Sequence, residues 1–134
     1  PDKDQAGRVF GQLMSAVRRN YSSPPTHGGQ IVARVLQTPA LHKLWADELG
    51  AMRSRIQLMR QRLYDGLVQR VPGRDFSYFI KQRGMFSYTG LSVEQADALR
   101  EQHGVYLLRS GRMCVAGLNN NNVDRVAEAL AAVL

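Results

Sequence analysis

Residues 39–71, PALHKLWADELGAMRSRIQLMRQRLYDGLVQRV, place apolar side chains at Trp45, Leu49, Met52, Ile56, Met59, Leu63 and Leu67. The steps of 4, 3, 4, 3, 4 and 4 residues are those of one face of an α-helix packing along a neighbour. Thr38-Pro39 supplies an N-cap followed by proline at the first helical position, and Pro72-Gly73 closes the run. About thirty residues rising 1.5 Å each make a rod of about 45–50 Å, the length of a small domain. Such a helix is expected to join two structural units rather than sit inside one compact fold.

On the N-terminal side, residues 4–19 read as an amphipathic helix whose stripe of Val9, Phe10, Leu13, Met14 and Val17 needs a partner. Asn20-Tyr21-Ser22-Ser23-Pro24-Pro25 stops it, because the prolines cannot extend it and push Ser23 toward extended geometry. Residues 26–36 can restart as a short helix. On the C-terminal side the pattern turns to short β-prone pieces at 76–80, 85–88, 105–108 and 112–115. Between them a helix starts at Ser92, where Ser-Val-Glu-Gln is a capping box and Leu99 falls on the apolar face. A last helix follows Asn121 or Asn122, with Val123, Val126, Leu130 and Val133 on one side. The organisation expected is helices over 1–38, a connecting helix over 39–72 and a small α+β domain over 73–134. No internal repeat is visible.

The 134 residues carry 18 Lys+Arg against 11 Asp+Glu, a formal charge of +7, with 44% hydrophobic residues. That composition can bury a core and excludes a disordered chain. No apolar run approaches the roughly 18 residues of a membrane span, and PDKDQAGRVF lacks the basic-then-apolar order of a signal peptide. Cys114, the single cysteine, cannot form an internal disulfide, so a reducing cytoplasmic setting is the default. His27, His42 and His103 are too scattered in sequence for a metal signature. The basic balance raises nucleic-acid binding. Its densest group, Arg53, Arg55, Arg60 and Arg62, lies in a helical pattern and is read as a solvated outer face, without interleaved aromatics.

No nucleophile elbow, paired-carboxylate motif or phosphate-cradling loop occurs. Gly28-Gly29 is read as a loop-to-helix junction rather than a phosphate contact, and Cys114, between Met113 and Val115, as a small buried hydrophobe rather than a reactive thiol. Arg112 follows Ser110-Gly111 at the start of an apolar strand. From there a planar, charged fork can hold a carboxylate by two parallel hydrogen bonds, or it can serve as a structural ion-pair residue, the commoner use of an arginine.

Three strings bear on that choice: Arg18-Arg19-Asn20-Tyr21-Ser22-Ser23-Pro24-Pro25, Arg83-Gly84-Met85-Phe86-Ser87-Tyr88-Thr89-Gly90-Leu91, and Ser110-Gly111-Arg112-Met113-Cys114-Val115-Ala116-Gly117-Leu118-Asn119. In order and spacing they resemble the C-terminal third of pyridoxal-phosphate-dependent class I aminotransferases, most of all the bacterial aromatic-amino-acid branch near aspartate aminotransferase. The resemblance covers nearly the whole chain. It implies an α/β fold with helices of a large domain, a long interdomain helix, and a small α+β domain of short strands with packed helices.

By the same resemblance, Arg112 would bind the substrate α-carboxylate from the small domain. Arg18 would reach across a homodimer interface to the distal carboxylate of aspartate, glutamate or 2-oxoglutarate, and swing aside for aromatic substrates. Phe86 would line the site near Arg112, with a plain core aromatic as its alternative reading. Tyr88 and Met113-Cys114 lean toward the aromatic branch. The family's cofactor lysine, in a Ser-x-x-Lys-like stretch, has no match at Lys3, Lys43 or Lys81. The chain is therefore read as a C-terminal fragment that binds no pyridoxal phosphate and catalyses no transamination alone, whereas the complete enzyme would take amino acids and 2-oxo acids. The fragment is expected to self-associate through its unpartnered apolar faces, and to bind neither nucleic acid nor membrane. An aspartate aminotransferase fragment, a non-catalytic carboxylate-binding module and a basic nucleic-acid-binding protein are the alternatives.

Overall fold

The computed structural model describes residues 2–134. Its described residues divide into two compact units, 2–46 and 47–134, with the division falling inside the long helix. In the first unit, α1 (Lys3–Tyr21) starts at Asp2, whose side chain accepts the Gln5 N–H at 2.7 Å. It stops at Ser22, which has φ +58° and donates its N–H to the Arg18 carbonyl. After the prolines comes α2 (His27–Gln37). Neither helix buries a residue, and Val9, Phe10, Leu13, Met14 and Val17 all stand in solvent.

The long helix α3 (Pro39–Arg70) has 32 residues, about 48 Å at 1.5 Å per residue. Its expected apolar seam is only half used within this chain. Met59, Leu63 and Leu67 are buried and Ile56 partly so, whereas Trp45, Leu49 and Met52 are exposed. In the second unit those buried side chains meet α4 (Tyr78–Lys81), α5 (Val93–His103) and α6 (Val123–Val133) in one core with Phe76, Phe79, Leu99, Val115, Val123 and Leu130. The approach of α6 to α3 is close. A Cβ at Gly66 would stand 2.9 Å from the Ala127 Cβ, so glycine is what the crossing admits. At α5 the capping box forms in full: Ser92 Oγ accepts the Gln95 N–H and Gln95 Oε1 accepts the Ser92 N–H. The Gln95 side-chain amide also donates to the Val133 carbonyl at 2.7 Å, fastening the end of α6.

The only sheet among the described residues is an antiparallel ribbon of β1 (Phe86–Tyr88) and β2 (Arg112–Cys114), in the register Phe86–Cys114, Ser87–Met113, Tyr88–Arg112. Two expected strands are therefore absent, and β2 is shorter than expected. Residues 76–80 form the turn into α4, because Asp75 Oδ1 accepts the Ser77 N–H at 2.7 Å and starts a helical bend. That bend sends Phe76 and Phe79, three apart, into the core together. Residues 105–108 form no strand and bond only at their ends: Val105 N–H to the Leu99 carbonyl, Leu108 N–H to the Arg112 carbonyl, and the Leu108 carbonyl to the Gly111 N–H. Val115 leaves the strand for a 3-10 turn, Val115–Gly117.

The arginines of α3 meet the expectation of a solvated face only in part: Arg53 and Arg55 are exposed, Arg62 is half-buried and Arg60 is not solvated. Arg55 donates to the carbonyls of Ala116 and Leu118, and Arg62 to Asn120 and Asp124. Arg60 is buried, with only 4% of its surface exposed.

Candidate substrate-binding face

The ribbon owes its two faces to strand alternation. Ser87 and Met113, a cross-strand pair, point inward and are buried. Phe86, Tyr88, Arg112 and Cys114 point outward and are exposed. The reading of Cys114 as buried is thereby overturned: it lies one strand position past inward-facing Met113, so its side chain takes the open face.

Arg112 is delivered to this face by a tight turn at the start of β2. Gly111 N–H donates to the Leu108 carbonyl at 2.8 Å, closing a turn over Arg109 and Ser110. Gly111 then takes φ +82°, a conformation that side chains resist. Thr89, the residue after β1, locks the turn. Its N–H and its hydroxyl both donate to the Gly111 carbonyl, at 2.9 and 2.8 Å. A Cβ at Gly111 would meet Thr89 Oγ1 and the Leu91 carbonyl oxygen at 3.3 Å each. The tip is held to α5 as well, since Arg109 donates to Asp97 at 2.8 Å.

Set this way, the Arg112 guanidinium carbon lies 5.0 Å from the centroid of the Phe86 ring, within the range of a cation–π contact. Phe86 is 47% exposed, so it is no core aromatic. Among the described residues no carboxylate lies within ion-pair distance of Arg112. Arg112 thus makes no ion pair among the described residues, and its side chain is exposed. A cavity of about 390 Å³ beside it is lined by Phe86, Arg112, Met113 and Cys114 with Leu107 and Tyr106. A cation at the rim of an aromatic and aliphatic hollow suits a ligand with a carboxylate and an apolar body.

Behind the ribbon, the Tyr78 hydroxyl donates to the Thr89 carbonyl at 2.9 Å. Burial pushes the Tyr78 phenol above its usual pKa. Arg60 reaches the same ribbon from α3 and donates to the carbonyls of Phe79, Gly84 and Phe86 and to the Ser87 hydroxyl. Burial, with nearby Arg83, lowers the Arg60 pKa. The sequence reading puts Arg60 on a solvated face and gives no sign of the Thr89–Gly111 lock. A signal for Arg60 existed, since it lies four residues after Ile56 and three before Leu63, on the buried side of α3. Arg18, the remaining expected site residue, lies in the last turn of α1 in the first unit, exposed and with no carboxylate within ion-pair distance among the described residues.

The model for aminotransferase class I and II matches residues 4–130. The chain belongs to that family. It is 59% identical over 133 residues to the aromatic-amino-acid aminotransferase of Escherichia coli, covering 99% of this chain and 34% of that protein. Against the aspartate aminotransferase of the same organism it is 47% identical over 133 residues, with the same shares. It superposes with TM-score 0.86 and 54% identity on the crystal structure of the aromatic-amino-acid aminotransferase from Burkholderia pseudomallei covalently bound to pyridoxal phosphate, over 100% of this chain and 34% of that one. The chain thus spans about a third of the length of these relatives.

The residues present do not by themselves suit that cofactor. Lys3, Lys43 and Lys81 are exposed on α1, α3 and α4, and none of them lines the cavities beside the ribbon. A lysine that binds the cofactor covalently needs an enclosed site around it.

Proposed function

We propose that the chain is the C-terminal third of an aromatic-amino-acid aminotransferase that also accepts aspartate and passes the amino group to 2-oxoglutarate. Residues 1–38 are the last helices of its large domain, 39–72 the connecting helix and 73–134 the small domain. Pyridoxal phosphate is held by the part of the enzyme outside this chain, and the fragment alone is inactive. The complete enzyme is a cytoplasmic homodimer. No helix among the described residues is long and apolar enough to cross a membrane.

The observation that carries this reading is the exposed Arg112 fork over Phe86, with no acid partner among the described residues. Arg112 binds the carboxylate common to every amino and 2-oxo acid substrate and orients the rest of the molecule. Phe86 shields one side of that contact from water, which strengthens the charge-assisted bonds. Arg18, from the other subunit, pairs with the second carboxylate of dicarboxylic substrates. The greater identity to the aromatic enzyme than to the aspartate enzyme, 59% against 47%, favours the aromatic branch.

The test is a chimera in which this chain replaces the C-terminal third of the E. coli aromatic-amino-acid aminotransferase. A folded chimera that binds pyridoxal phosphate and transaminates phenylalanine with 2-oxoglutarate supports the reading. One that folds and binds the cofactor but leaves both phenylalanine and aspartate untouched overturns it.

A further inference from the structure

Arg60 is a buried cation whose partners are all neutral. Its guanidinium donates to the carbonyl oxygens of Phe79 (2.9 Å), Gly84 (2.9 Å) and Phe86 (2.8 Å) and to the Ser87 hydroxyl (2.6 Å). Taking a charge out of water without a counter-ion is costly, and only a full set of well-directed acceptors offsets it. A core that needed only filling would put an apolar residue there, as at Met59 and Leu63 on the same helix. The place that Arg60 grips is informative. Three acceptors lie in residues 84–87, and Ser87 is the inward-pointing middle residue of β1, flanked by outward-pointing Phe86 and Tyr88. Holding the Ser87 side chain and the Phe86 carbonyl from behind fixes both the height and the rotation of the strand. The Phe86 ring is therefore set under the Arg112 guanidinium from α3, on the opposite side of the ribbon.

We propose that Arg60 is a positioning residue for the carboxylate-binding face: it holds β1 so that Phe86 supports the Arg112 fork. The proposal deepens, and rests on, the assignment of Arg112 as the carboxylate-binding residue. Lysine cannot replace Arg60 here. A single ammonium is a point donor and cannot span four acceptors arranged around a planar fork.

The experiment uses the 134-residue chain carrying Phe10→Glu and Leu13→Glu on the exposed stripe of α1 to keep it from self-associating, isotope-labelled, with 3-phenylpropionate as the carboxylate probe, in this background alone (the reference, called wild type below) and with Arg60→Lys, Ser87→Ala or Arg112→Gln added. The free chain first gives the upfield ring-current shift of the Arg112 δ-protons over Phe86, and titration then gives the dissociation constant. In Arg60→Lys the ring-current shift is expected to collapse and the probe to bind about two- to fivefold more weakly, the worth of an exposed cation–π support. The core methyls of Leu130 and Val123 should keep their wild-type shifts. Ser87→Ala removes one acceptor and leaves three, so it keeps the fold even if Arg60→Lys does not, and it should show the same changes in smaller measure. A folded variant of either kind that keeps both the ring-current shift and the affinity overturns the proposal. So does a loss of thermal stability with the Arg112 signals unmoved, which is what a purely structural role predicts. If Arg112→Gln binds the probe as well as wild type, the carboxylate assignment fails instead, and the ring-current shift still decides whether Arg60 sets Phe86 under Arg112.

Discussion

Replacing Gly111 by alanine tests the turn that delivers Arg112, and Gly90→Ala supplies its control. Both glycines have positive φ, +82° and +73°. A side chain in that region costs about 1–2 kcal/mol, and the stiffer unfolded chain returns about 0.4–1 kcal/mol, so backbone strain alone predicts a loss of roughly 0–1.6 kcal/mol. At Gly90 nothing lies within 4 Å of the new Cβ. At Gly111 the Cβ meets Thr89 Oγ1 and the Leu91 carbonyl oxygen at 3.3 Å. Neither can retreat cheaply, because Thr89 is bonded twice to the Gly111 carbonyl. Crowding of that kind adds about 1–2 kcal/mol at Gly111 alone, for a total of about 1–3.6 kcal/mol there. Urea unfolding followed by circular dichroism, with equal slopes for the variants, reads the difference as a shift in midpoint. Equal losses in Gly90→Ala and Gly111→Ala would refute the argument that Thr89 and Leu91 lock this turn.

Leu63→Ala empties a site with no exposed surface at the meeting of α3 with the small-domain core, and should cost about 2–5 kcal/mol in the same unfolding assay. The pH dependence has two limbs, read from thermal melts across the pH range. Hydrogen bonds from the Ser77 backbone and side chain lower the Asp75 pKa, and the Glu94 backbone N–H and the Ser92 side chain lower that of Glu94. Their contribution is present above the ordinary carboxylate range, about 4, and is lost as pH falls through the lowered values. Tyr78 works in the opposite sense, since burial raises its pKa. Its contribution is intact below the ordinary phenol value, about 10, and disappears as pH rises through the raised one. The exposed stripe of Val9, Phe10, Leu13, Met14 and Val17 should make the isolated chain self-associate. Light scattering should find species larger than a monomer, reduced by Phe10→Glu with Leu13→Glu; a clean monomer at high concentration contradicts this.

The helices were legible because their signals are local. The 4-and-3 spacing of residues 39–71, the Ser92 capping box and the proline pair at 24–25 each act within a few residues, and α3, α5 and the end of α1 follow them. Residues 76–80 misled because Phe-Ser-Tyr-Phe-Ile is rich in β-formers, while one side-chain bond from Asp75 and the joint burial of Phe76 and Phe79 decide for a helical turn. Residues 105–108 have strand composition, but a strand needs a partner along its length, and only its ends find one. At the ribbon, the Ser-Gly turn before Arg112 could be seen in the string itself. That Phe86 lies beneath Arg112, that Cys114 faces outward and that Arg60 turns inward depend on cross-strand register and on tertiary contacts, which no single stretch of sequence carries.

The measurement that bears most directly on the account is kcat/KM of the chimera for phenylalanine and for aspartate, in wild type, Arg112→Ala and Arg18→Ala. Losing two charge-assisted hydrogen bonds to the common carboxylate should cost Arg112→Ala about two to four orders of magnitude for both substrates. Arg18→Ala should lose chiefly aspartate, with phenylalanine nearly unchanged. An Arg112→Ala chimera that keeps its activity toward both substrates, or an Arg18→Ala chimera that loses both equally, would contradict it.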